Sequence, residues 1–208
     1  MSRLYFIRHA QSEANRQKIM GSRLPVSLSE EGKADAVLIA SRLKPMVEIQ
    51  RIISSPLPRT LQTARPFSAA YGLPVEPDER IIEQDVGIFS GMSYDLLKTF
   101  PSYEPDTMAR WDWLPQGGGE SYRMIAERVS LFLKDLEKED MDRNILVVSH
   151  SITLRIMRAV LENTLPTYPR RFPKNGEIWL TEFTSLGKVH EVESLFLGTG
   201  NAMRRDAE

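Results

Sequence analysis

Short apolar runs and helix-period stripes alternate along this chain. Leu4, Tyr5, Phe6 and Ile7 form an unbroken apolar run that stops at Arg8 and His9, the mark of a buried strand opening into a loop. A helix is expected from Ser29, an N-cap followed by Glu30 and Glu31. Ala36, Ala40 and Leu43 continue it at helical spacing, and Pro45 stops it. Residues 51–54 read as a second buried strand. After it Ser55 is expected to cap a helix, with Pro56 in the first turn and Arg59 just inside. Pro66 should kink or end that helix early. Residues 74–77 form a short strand between prolines. Residues 144–149 form a third clear strand, with His150 at its end and a helix over 152–161. Residues 177–183 and 189–196 are candidates for two more, joined by a turn at 186–188.

Strands alternating with helices predict an α/β fold, a three-layer α/β/α sandwich around a mostly parallel sheet. The segment from about 87 to 119 breaks the rhythm with Pro101, Pro105, Pro115, three successive glycines, Trp111 and Trp113. It reads as a small cap inserted into a single domain spanning 1–208, folding over the strand ends. Gly119, Glu120 and Ser121 then start a long amphipathic helix carrying Ile125, Val129, Phe132, Leu133 and Leu136. The tail after Gly198 is polar and expected to fray.

Composition narrows the function classes. The chain has 208 residues, 41% hydrophobic and 26% charged, with a net charge of -1. Without a basic excess or stripe, nucleic acid is not an expected partner. No cysteine occurs, which removes disulfides, thiolate metal sites and a cysteine nucleophile. Three histidines without a close pair argue against a metal centre, so no metal or other cofactor is expected. The apolar runs are too short to cross a bilayer and no signal-peptide core follows Met1. No membrane partner is expected, and the expected compartment is the cytoplasm. A homodimer stays open.

Arg8, His9, Arg59 and His150 all fall just after predicted strands, where open α/β sheets place their sites. Gathering cations and imidazoles in one cleft is costly unless an anion relieves it, and a phosphate dianion gripped by arginine does so. Glu83 is the nearest acid after a strand and turn. A histidine nucleophile, an arginine clamp and a carboxylic acid supply what phosphoester cleavage needs without a metal. Taken singly, each of these residues is more often structural. Asp85 and His190 read as structural, and Arg155 as one half of an ion pair.

The run from Leu4 through Arg8, His9, Ala10, Gln11 and Ser12 to Asn15 resembles the signature of the histidine phosphatase superfamily, the phosphoglycerate-mutase-like group. Further pieces follow in family order: residues 28–32, Ser54 to Thr60 with Gln62, Thr63 and Ala64, Glu83 with Gly87 and Gly91, residues 118–121, and Val147 to His150. The resemblance covers about residues 3–197. It implies His9 as the nucleophile, forming a phosphohistidine, and Glu83 as the general acid. It implies Arg8, Arg59, His150 and Asn15 as holders of the phosphoryl oxygens. A backbone carbonyl should fix the second nitrogen of His9. Ala10 and Ser151 stand where glycines are usual, and the N–H of Ser151 remains able to bind phosphate.

Within that group, mutases place Arg and Tyr after the acid, a Thr-Gly pair after the asparagine, and a longer basic insertion. Here Gln84, Asp85 and Val86 follow Glu83, and Met20 precedes Gly21. The chain therefore looks more like the small bacterial phosphatases, including metal-independent phosphoserine phosphatases, acting on a small phosphorylated metabolite. A cofactor-dependent phosphoglycerate mutase is the alternative. A non-catalytic module of the same fold is the weaker third reading.

Overall fold

A computed structural model describes residues 1–139, 142–196 and 198. The tail after Gly198 and Asp140 of the charged helix end lie outside the described residues. Along the chain run β1 (Ser2–Arg8), α1 (Glu13–Gln17), α2 (Glu30–Leu43), β2 (Arg51–Ser54), α3 (Pro58–Tyr71) and β3 (Val75–Pro77). After two short 3-10 turns come α4 (Tyr94–Leu97), α5 (Tyr122–Glu139), β4 (Asn144–Ser149), α6 (Ser151–Leu161), β5 (Ile178–Phe183) and β6 (Glu193–Phe196).

The six strands form one sheet in the order β3-β2-β4-β1-β5-β6. The first four are mutually parallel, while β5 is antiparallel to β1 and β6 antiparallel to β5. The sheet is thus mixed, with the expected parallel core and an antiparallel edge reached without a helical crossover between β5 and β6.

Strand pleat sorts the apolar run of β1 between two cores. Leu4 and Phe6 join Ile145 and Val147 on one face, where α5 and α6 cover them with Val129, Phe132, Leu133 and Met157. Tyr5 and Ile7 join Leu146 and Val148 on the other, covered by Ile39, Ala40 and Leu43 of α2 and Ala64 and Phe67 of α3. Each such buried aliphatic or aromatic side chain contributes about 1.5–3 kcal/mol relative to exposure. Both faces are covered, giving an α/β sandwich. Among the described residues no helix is long and apolar enough to cross a membrane.

Several local expectations need correction. Ser55 does not cap α3; Leu57 is the N-cap and Pro58, not Pro56, occupies its first turn. Pro66 lies inside α3, which continues to Tyr71 and ends at Gly72 with φ 68°. The cost of the missing N–H is outweighed by burying Ala64 and Phe67 on either side of the proline, both 0% exposed. Ser29 caps α2 as expected, its Oγ accepting from the N–H of Gly32 at 3.0 Å. Ser121 caps α5 through the N–H of Met124 at 3.3 Å.

Gly32 ties α2 to the loop that follows His9. A Cβ added there would lie 2.0 Å from the carbonyl oxygen of Gln11, a backbone atom. Gly32→Ala is therefore expected to destabilise the fold by about 1–3 kcal/mol and to slow turnover, measured by urea denaturation and assay of the same preparation. Wild-type stability and rate in that variant would contradict the packing described.

Candidate active site

Strand register delivers the two histidines together. Arg8 of β1 pairs with Ser149 of β4, so the next residues, His9 and His150, leave the sheet side by side. Their ring centroids lie 5.3 Å apart. On the other side of β4, Ser54 of β2 pairs with Val148. This sets Ser55 beside His150, and the Ser55 hydroxyl lies 2.7 Å from His150 Nε2. The carboxyl ends of the parallel strands thus converge on one cavity of about 420 Å³.

The nucleophile candidate has a fixed tautomer. His9 Nδ1 lies 2.7 Å from the carbonyl oxygen of Ala10, which only accepts, so Nδ1 carries the proton in the neutral ring. Nε2 is left with its lone pair. The pKa of His9 is held well below the ordinary 6.5, first by burial, then by the charges of Arg59 and Arg8, partly opposed by the Ala10 bond. His150 is lowered well below 6.5 too, by burial first and then by Arg59, His9, Arg128 and Arg8. Its Nδ1 is buried without a hydrogen-bond partner among the described residues. A hydrogen bond from the Ser55 hydroxyl to Nε2 would put the proton of the neutral His150 ring on that Nδ1.

Backbone carbonyls hold the two guanidinium groups. Arg59 donates to the carbonyls of Leu24 at 3.0 Å and Ser22 at 2.6 Å. Its pKa is pulled down to about 10, chiefly by burial, with Glu83 opposing and Arg8 adding to the fall. Arg8 donates from Nη1 to the carbonyl of Pro173 at 2.7 Å. Glu83 sits at the start of α6. Its carboxylate accepts from the N–H groups of Gln84 at 3.0 Å, Thr153 at 3.3 Å and Ile152 at 3.4 Å. The helix N-terminus orients the acid toward the cleft that the histidines share.

Arg8, His9, Asn15, Arg59, Glu83 and Ser151 all line the cavity, and the His150 ring lies against that of His9. All seven residues singled out in the sequence are therefore brought to one place. Asp85 accepts from the N–H of Gly87 at 2.9 Å, a turn-forming role. His190 accepts from the N–H of Thr184 at 3.2 Å and is structural. The ion pair expected for Arg155 is absent among the described residues. Its guanidinium lies over Tyr168 at 4.8 Å and Phe172 at 4.3 Å and donates to the carbonyl of Pro169. A buried cation without water takes ring faces in place of a carboxylate.

Sequence reasoning missed three groups. Ser55 was legible as part of a motif but read as a cap. Arg110 lines the cavity from the 87–119 segment, stacked between Tyr103 and Trp113 at 4.9 Å from each ring centroid. No local pattern marks it. Lys98 and Lys174 also line the cavity and add positive charge beyond the Arg8 and Arg59 pair. Trp111 and Trp113 pack against Tyr168 and Phe89 respectively and do not line the cavity. Among the described residues, no group of three or more His, Asp or Glu side chains is disposed to hold a metal ion.

The family profile of the histidine phosphatase superfamily (branch 1) matches residues 4–193. The chain belongs to the histidine phosphatase superfamily. Phosphoserine phosphatase 1 of Hydrogenobacter thermophilus is 36% identical over 165 residues, covering 77% of this chain and 76% of that one. Probable phosphoglycerate mutase GpmB of Escherichia coli is 26% identical over 207 residues, covering 96% and 90%. A mycobacterial glucosyl-3-phosphoglycerate phosphatase, solved with VO3, superposes with a TM-score of 0.82 at 24% identity, covering 95% of this chain and 99% of that one. The last likeness concerns the fold of this histidine phosphatase alone.

The depressed imidazoles make stability depend on pH. Both histidines have folded pKa values below the ordinary 6.5, so below that pH the unfolded chain binds more protons than the folded one. Their contribution is fully present above 6.5 and is lost as pH falls toward the folded values. His9→Gln removes one of the two groups and should make the fall in Tm between pH 7.5 and 5.5 shallower than in the wild type. An unchanged slope would show that His9 is not held neutral by its surroundings.

Proposed function

We propose that the protein is a metal-independent phosphatase that hydrolyses small phosphomonoesters by way of a phosphohistidine on His9. The histidine phosphatase family works through such an intermediate, and phosphatases stand among this chain's relatives. One observation carries the assignment to His9: its Nδ1–H is tied to the Ala10 carbonyl, which leaves Nε2 unprotonated in a cavity shared with Arg8 and Arg59. On this reading Nε2 attacks phosphorus and the ester P–O bond breaks on the opposite side. Glu83 gives its proton to the departing alkoxide. Water then attacks phosphorus and loses a proton to Glu83 as the P–Nε2 bond breaks, releasing phosphate and restoring His9.

Arg8 and Arg59 supply the charge that a metal would otherwise provide, and the amide of Asn15, the buried Nδ1 of His150 and the N–H of Ser151 complete the hold on the phosphoryl oxygens. We read residues 1–208 as one domain with a cap at about 87–119. In support, Tyr94, Lys98, Pro105, Thr107 and Arg110 of that segment line the cavity. Lys98, Arg110 and Lys174 favour a substrate whose alcohol half bears its own negative group. Hydrolysis rather than phosphoryl transfer between carbon positions is favoured by Gln84, an uncharged residue where mutases carry arginine.

The test compares esters that differ in leaving group. O-phosphoserine leaves as a basic alkoxide that needs a proton, whereas p-nitrophenyl phosphate leaves as a stable anion. Glu83→Gln should lower turnover of the first about 100-fold or more and of the second far less, and EDTA should leave the wild-type rates unchanged. Equal losses on both esters would move the acid to another residue. Loss of activity in EDTA, restored by a divalent ion, would overturn metal independence.

A further inference from the structure

We infer that Asn175 is a positioning residue for both the nucleophile and the phosphoryl clamp. The inference rests on the reading of His9 as nucleophile and Asn15 as a phosphoryl ligand. Asn175 lies in the segment between Pro173 and β5, far from every signature run in the sequence, and is 4% exposed. Its Nδ2 donates to two oxygens, the carbonyl of His9 at 2.9 Å and Oδ1 of Asn15 at 3.1 Å. Two acceptors on one amide nitrogen use both of its protons, so the amide has one satisfactory orientation.

The consequence falls on Asn15. Its Oδ1 also accepts from the backbone N–H of Ser12 at 3.0 Å and from the Ser12 hydroxyl at 2.9 Å. Three donors surround that oxygen. A flipped Asn15 amide would set its own N–H groups against the Ser12 N–H and the Asn175 amide, so the flip is disfavoured and the NH2 group is the part left for the cavity that Asn15 lines. Only that orientation can donate to a phosphoryl oxygen. Asn175 therefore reinforces, together with the Ser12 N–H, the orientation in which Asn15 presents a donor to the substrate.

The same segment grips the nucleophile's backbone. The N–H of Gly176 donates to the carbonyl of Arg8 at 3.0 Å, and the N–H of Arg8 to the carbonyl of Glu177 at 3.2 Å. Asn175 adds the third bond, on the His9 carbonyl itself. The segment is anchored in turn by the buried carboxylate of Glu177, which accepts from Arg171 and Trp179 Nε1 at 2.8 Å and from the N–H of Lys174 at 2.7 Å. A bond from a rigid anchor to His9 limits drift of the imidazole away from the line of attack.

A double-mutant cycle with orthovanadate, a mimic of the transferring phosphoryl group, tests the assignment. Asn175→Ala should weaken vanadate inhibition about 10- to 100-fold, and Asn15→Ala should do the same. In the Asn15→Ala background, Asn175→Ala should weaken it less than about threefold further, because the Asn175 effect on vanadate passes through Asn15. The rate of His9 phosphorylation in a single turnover should still fall in the double variant, through the lost bond to the His9 carbonyl. Should Asn175→Ala fold too poorly to assay, Asn175→Asp keeps the volume, replaces the donor by an acceptor, and carries the same expectation. Vanadate affinity unchanged in the single variant, or losses that multiply fully in the double, would overturn the inference. His9→Ala distinguishes the two failures: if that variant still turns over, the nucleophile assignment itself is wrong. If it is dead while Asn175→Ala behaves as wild type, only the role of Asn175 is lost.

Discussion

Holding two guanidinium groups and two imidazoles within one largely buried cleft is the constraint on which this structure turns. Arg59 is 3% exposed and His150 0%. Burial first, and neighbouring positive charge second, depress the pKa of His9, His150 and Arg59. A phosphoryl dianion relieves all of these at once. The transition state of phosphoryl transfer, with its charge spread over three oxygens, is what such an arrangement holds best.

The scaffold bears that cost with neutral dipoles. Carbonyls of Ser22 and Leu24 hold Arg59, that of Pro173 holds Arg8, and that of Ala10 holds His9. Carbonyls orient a cation without cancelling its charge, as a carboxylate would. The parallel register of β2, β4 and β1 then brings Ser55, His150 and His9 to adjacent strand ends, so catalytic geometry is inherited from backbone pairing. Glu83 comes from a different element, and its carboxylate is steadied by the N–H groups at the start of α6.

Much of this was legible from residue order alone. The apolar runs of β1, β2 and β4 are short, continuous and end at polar or imidazole residues, which is how a buried parallel strand reads. Seven site residues followed, because each stands at such an end or in a family signature. What escaped depends on contacts distant in sequence. Asn175 meets His9 only because β5 pairs with β1, and Arg110 enters the cavity only because the 87–119 segment folds back over it. Pro66 misled because local propensity predicts a break where Ala64 and Phe67 hold the helix against the sheet. Arg155 misled because a cation on a helix suggests an exposed ion pair, whereas burial gave it aromatic faces.

The central claim is that the phosphoryl group passes through His9 Nε2. It is tested most directly by mixing the enzyme with excess phosphomonoester, quenching in alkali within milliseconds, and mapping the phosphoryl group by peptide mass spectrometry. The account predicts an acid-labile phosphoryl group on the peptide bearing His9, formed at least as fast as turnover and missing from His9→Ala. A phosphoryl group on another residue, or steady hydrolysis by His9→Ala at near the wild-type rate, would contradict it.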